Sequence, residues 1–173
     1  MAMAHPCRPL LIGIGNRLRG DDGAGYRLAE ILRATPGATA VPLQVLAVHQ
    51  LTPELAATIA AANAVLFADA WFTGSGKPEA RPWPVLEPIP THGDPRGNVQ
   101  DRRSAPPPGP LSHQLSAAQL LELSHRLYGR RPPAWQLLLP VCQLQHGEDL
   151  SPASARAVAA ALQLVRHWRP SHA

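Results

Sequence analysis

The chain has 173 residues, with 16 Lys or Arg against 12 Asp or Glu, a formal charge of +4 and 45% hydrophobic residues. That length fits one domain with a core of its own, and no run approaches the roughly 20 apolar residues that span a bilayer. The positive charge does not point to nucleic acid: only Lys77 is lysine, and the arginines are scattered without interleaved aromatics, their longest runs being Arg102-Arg103 and Arg130-Arg131.

Residues 9–14 read as a first strand. Leu10, Leu11 and Ile12 form a short apolar run, Gly13 and Gly15 let the chain turn sharply, and Asn16 tolerates turn geometry. Asp21 and Asp22 then open a helix, about 22–34, that carries Tyr26, Leu28, Ala29 and Leu32. A dinucleotide fingerprint would need glycine where Leu18 stands, and two carboxylates replace the bare helix start that a pyrophosphate prefers. This opening is built to hold something positive. A second strand falls within 41–48. Thr52-Pro53-Glu54 offers a hydroxyl cap and a proline at the first helical position, leading into an alanine-rich helix to about Ala62. Residues 64–68 are continuously apolar, as a central parallel strand is, with Asp69 at the end of the run. Pro82, Pro84 and Pro88 confine any strand over 81–89 to an edge or make it irregular. Residues 90–110, rich in proline, glycine and charge, are expected to form a mobile loop. A helix over about 114–128 places Leu120, Leu123 and Leu127 on one face, and 135–141 is the last strand. Ser151-Pro152 starts a final helix with Val158, Ala161, Leu162, Val165 and Trp168 at helical spacing. Alternating strands and helices predict an α/β fold over 1–173. The expected architecture is a single-domain three-layer sandwich, its mostly parallel twisted sheet of about five strands flanked by helices on both faces.

The first turn carries a pattern, Gly13-x-Gly15-Asn16-x-Leu18-x-x-Asp21-Asp22-Gly23-x-Gly25, that resembles the hydrogenase maturation proteases, endopeptidases that trim the large subunit of nickel–iron hydrogenases. Further pieces follow in that family's order: Gln50-Leu51-Thr52-Pro53-Glu54-Leu55, Ala68-Asp69-Ala70, Ser112-His113-Gln114 and Gly147-Glu148-Asp149-Leu150-Ser151. The stretch 72–110 matches no part of it. The resemblance implies a single cut in a large-subunit precursor, releasing its C-terminal extension once nickel has been inserted. It also implies that the nickel is carried by the precursor, with no tightly bound cofactor expected in the free enzyme. Asp22, Asp69 and His113 fall on the family's metal-binding positions. Some members have glutamate where this chain has Asp22, one methylene shorter, which implies a slightly shifted metal.

The predicted topology brings the same three residues together, because Asp22 follows strand one, Asp69 ends strand three and His113 precedes a helix packed at that edge. Ligands of open α/β sheets bind outside the carboxyl ends of the strands, where the strand order reverses. Two carboxylates and an imidazole, with positions left open, suit a divalent transition metal. Each residue also has a plainer role open to it. Asp21 and Asp22 can cap a helix and complement its dipole, worth about 1 kcal/mol. Asp69 can be a turn acid, although an acid closing so apolar a strand needs a partner. His113 can be a packed or capping histidine. His49, at the end of strand two, lies near the right edge to support the others, whereas the remaining histidines read as surface or loop residues. No G-x-S-x-G elbow and no H-E-x-x-H helix is present, and neither Cys7 nor Cys142 has a nucleophile's context.

These readings converge on a cytoplasmic, monomeric endopeptidase whose partner is the nickel-loaded precursor of a hydrogenase large subunit, with no nucleic acid and no membrane involved. The start of the chain, MAMAHPCRPLL, lacks a basic segment followed by an apolar stretch, so no secretory leader is expected, and two isolated cysteines fit reduced thiols. A non-catalytic α/β module that binds a nucleotide or a protein partner is one rival reading. A general peptidase or amidase with a permanently bound metal is another.

Overall fold

The computed structural model describes residues 8–73, 83–90, 115–144 and 146–170. Five strands form one sheet: β1 (Leu10–Ile14), β2 (Gln44–Val48), β3 (Val65–Phe72), β4 (Val85–Pro88) and β5 (Ala134–Val141). Four helices cover it: α1 (Ala24–Ala34), α2 (Leu55–Ala61), α3 (Ala117–Tyr128) and α4 (Pro152–His167). The strand order is β2-β1-β3-β5-β4. The first four strands in that order run parallel, and only β4 is antiparallel, along β5 at the edge. Pro84 and Pro88 explain that position, since an edge strand need not donate on both sides.

Alternation along the strands divides the core into two layers. Leu11, Leu66, Ala68, Leu137 and Leu139 pack with Leu28 and Leu32 of α1 and with Val158, Ala161 and Val165 of α4. Leu10, Ile12, Val65 and Phe67 face the other way, onto Ala56 and Ile59 of α2 and Leu120 and Leu121 of α3. Both faces of a parallel sheet must be covered, which is why these strands are apolar throughout. The three-layer α/β sandwich expected from the sequence is the observed fold. Among the described residues no helix is long and apolar enough to cross a membrane.

Local details depart from the expectations in four places. The first helix begins later, at Ala24, because residues Gly20–Gly23 form a separate 3-10 turn. Thr52 caps no amide of α2; it hydrogen-bonds the Glu54 carboxylate and holds it below the usual carboxylate range, while the Thr52 and Pro53 carbonyls accept from Leu55 and Ala56. On α3 the buried positions are Leu120, Leu121 and Ser124, and Leu127 is exposed. The helix is rotated because the Ser124 hydroxyl donates inward to the Arg130 carbonyl, just past the left-handed Gly129 that ends it. Finally, β3 runs to Phe72, so Asp69 stands inside the strand rather than at its end. The loop expected over 90–110 lies, from residue 91 on, outside the described residues.

Candidate functional site

β1 pairs with β2 on one side and β3 on the other, so the strand order reverses between β1 and β3. The turn after β1 crosses that point. Gly15 has a φ of 148°, and a Cβ there would overlap the Asp22 carbonyl, so the chain folds back on itself as only glycine permits. α1 is seated as tightly: a Cβ on Gly25 would collide with the carbonyls of Ala68 and Ile14. A bare backbone at Gly25 thus lets the start of α1 rest on both strands flanking the reversal, with Asp22 immediately before it.

Asp22 is half-buried in the 3-10 turn, whose backbone closes through an Asp22 amide bond of 3.3 Å to the Arg19 carbonyl. Asp69 sits in β3 opposite Leu138 of β5, and alternation places it with Val65 and Phe67 on the α2–α3 face. Burial pushes its carboxyl up from 3.8 to about 7; the Ala70 amide, donating to Oδ1 at 2.8 Å, opposes the rise and the Asp22 charge adds to it. Because Gly25 rests on the Ala68 carbonyl beside Asp69, the turn that bears Asp22 lies against the same part of β3, and the Asp22 charge is felt at Asp69. No ion pair to either acid occurs among the described residues.

Of the residues singled out in the sequence, the fold therefore brings Asp22 and Asp69 to one place. His113 lies outside the described residues, which resume at Leu115, two positions ahead of α3 and on the sheet face that Asp69 shares. Among the described residues no group of three His, Cys, Asp or Glu side chains gathers as a metal site. His49 follows β2 and is exposed. Cys142 follows β5 as a free, half-buried thiol.

Asp21 differs most from the helix-capping role its sequence position suggests. It is 1% exposed, and its side chain caps no amide at the start of α1; only its backbone carbonyl accepts there, from Ala24. Its Oδ1 accepts from the Ser151 amide at 2.7 Å, and its Oδ2 from the Ser151 hydroxyl at 2.8 Å and the Gln143 amide at 3.3 Å. Ser151 in turn accepts from the Ser154 amide at 3.2 Å, capping α4. A backbone bridge runs alongside, from Gly20 amide to Gly147 carbonyl at 2.7 Å and from Gly147 amide to Leu18 carbonyl at 3.1 Å. The Gly147–Ser151 segment is thereby lashed to the turn that bears Asp22. Tandem acids and a Ser-Pro helix start are visible in the sequence, but nothing there pairs them across 130 positions.

No protein-family model and no curated protein matches the chain. Solved structures do match. The [NiFe] hydrogenase maturation protease HybD from Thermococcus kodakarensis is 20% identical, with a TM-score of 0.62 over 91% of this chain and 95% of that one. The protease HycI from Thermococcus kodakarensis KOD1 is likewise 20% identical, with a TM-score of 0.63 over 92% and 90%. The hydrogenase maturating endopeptidase HybD from E. coli is 21% identical, with a TM-score of 0.55 over 91% and 89%. At such identities the shared property is the fold, and it extends over almost the whole of both chains.

Proposed function

We propose that the chain is an endopeptidase of the hydrogenase-maturation type, which removes the C-terminal extension of a nickel–iron hydrogenase large-subunit precursor after nickel insertion. One observation carries the reading: two acids, Asp22 and Asp69, lie near the strand-order reversal with no ion pair to either among the described residues, in a fold shared from end to end with maturation proteases. A partly buried acid kept near a second acid costs stability, and such pairs persist where a ligand uses them. A divalent cation would relieve both the burial and the repulsion at once, and carboxylate oxygens are suitable donors for it.

In this reading the cation arrives with the substrate. Asp22 and Asp69 engage the precursor's nickel, and His113 adds an imidazole nitrogen from the segment ahead of α3. Only a loaded precursor is then held with its scissile peptide against the sheet edge. Hydrolysis consumes one water and leaves a new carboxyl terminus and a new amine. In this reading the enzyme acts in the cytoplasm, as two isolated cysteines fit.

The test is incubation of the purified protein with nickel-loaded large-subunit precursor, reading the mass of the product. Asp22→Asn and Asp69→Asn should each reduce cleavage at least a hundredfold while the circular dichroism spectrum stays native, and His113→Ala should do the same. Near-normal cleavage by any of the three would remove that residue from the site. Loss of folding in all three would mean that these residues are structural.

A further inference from the structure

We propose that Asp21 is a positioning residue for Asp22, acting through the clamp it forms with Ser151 and Gln143. The inference rests on the functional reading above, because it takes Asp22 as the group that must be aimed. Its basis is geometric. Asp21 and Asp22 are adjacent in one short 3-10 turn, so their carboxylates leave the backbone in different directions. The Asp21 carboxylate is fully enclosed and accepts from three donors, two backbone amides and one hydroxyl. Gln143 lies just past β5 and Ser151 is the N-cap of α4, and both elements pack with α1 in one core layer. With Asp21 fixed at both oxygens, the turn has little freedom to swing, and Asp22 inherits its orientation. The Gly20–Gly147–Leu18 backbone bridge closes the other side of the same turn.

The donor set also explains why the clamp needs an acid. All three partners donate, and a carboxylate offers acceptor oxygens to each of them. Asparagine would turn an NH2 group toward one of these donors and lose that bond, leaving a buried polar group unpaired. A role confined to holding α4 would not require the clamp to be placed next to Asp22, since Ser151 already caps α4 by accepting from Ser154. A reach of about 0.5 Å separates productive from idle geometry in preorganised sites, so a slackened turn suffices to impair cleavage.

The experiment compares Asp21→Asn, Ser151→Ala and Ser151→Thr with Val158→Ala, which removes buried methyls from α4 without touching the clamp. Amide hydrogen exchange is measured on each free protein, and kcat and KM for nickel-loaded precursor are measured where all are fully folded. Asp21→Asn is expected to speed exchange at the Gly20, Asp22 and Gly147 amides at least tenfold relative to Leu11 and Leu66 in the core. It should also lower kcat at least tenfold with KM changed less than threefold. Ser151→Ala should do both to a smaller degree, Ser151→Thr should restore both, and Val158→Ala should alter exchange throughout α4 while sparing kcat. If Asp21→Asn fails to fold, Ser151→Ala against Ser151→Thr decides. Unchanged local exchange, or an unchanged kcat, overturns the proposal. A wild-type protein that cleaves no loaded precursor overturns the functional reading instead, and the exchange arm still decides whether the clamp holds the turn.

Discussion

Replacing Asp69 by asparagine should stabilise the protein while abolishing its activity, and should do so in a pH-dependent way. The folded-state carboxyl is pushed up from 3.8 to about 7, first by burial and then by the Asp22 charge. Below pH 3.8 both folded and unfolded chains carry the proton, and the group has no effect on folding. As the pH rises from there, the unfolded chain releases its proton first, so stability falls steadily until the folded carboxyl also ionises near pH 7; beyond that the loss is constant. At about 1.4 kcal/mol per pH unit, the gap sets a ceiling on the order of 4 kcal/mol, of which up to about 3 kcal/mol falls between pH 5 and pH 8. Asparagine is neutral in both states and its oxygen can still accept from the Ala70 amide, so the variant escapes this loss. Urea unfolding of both proteins at pH 5, 6, 7 and 8 measures it. The advantage of Asp69→Asn should grow by about 1–3 kcal/mol across that range, equivalent to about 2–4 °C in Tm per kcal/mol for a chain of this size. An advantage that stays flat with pH, or reverses above pH 7, would refute the claim that Asp69 is held against its own ionisation. An acid whose removal strengthens the fold and stops the reaction is retained for function.

Two further outcomes follow from the seat of α1 and from the source of the cation. Gly25→Ala should destabilise the protein by at least about 1 kcal/mol in urea unfolding even though alanine favours helix by about the same amount, because its methyl meets two strand carbonyls; a neutral result would mean that α1 can back away from the sheet. Treating the enzyme with a chelator and removing the chelator before mixing should leave the cleavage rate of nickel-loaded precursor unchanged, whereas precursor lacking nickel should not be cut. Full-rate cleavage of the metal-free precursor would return the choice to a general peptidase, and stoichiometric metal in the purified protein would point the same way.

What could be read in the sequence was whatever depends on short-range pattern. The apolar run before Asp69 marked the buried strand β3 and the glycine turn before Asp22 marked the reversal after β1, and the parallel topology that follows from alternating elements brings both acids to one side of the sheet; that Asp69 stands inside β3 rather than at its end was not legible. Proline spacing left a strand over 81–89 either at an edge or irregular, and β4 takes the edge. The rotation of α3 was not legible, because Leu127 and Ser124 satisfy helical spacing equally well and only the Arg130 carbonyl decides between them. Nor was the part played by Asp21. An acid at a helix start is ordinarily a cap, and the observation that contradicts it is a partner 130 residues away. The two adjacent acids illustrate why a motif underdetermines a site. Asp21 is spent entirely on hydrogen bonds to neutral donors, whereas Asp22, one residue on, remains half-buried and electrostatically felt by Asp69. Spacing along the chain treats these two carboxylates as equivalent; the tertiary partners of the first are what leave the second available for a ligand.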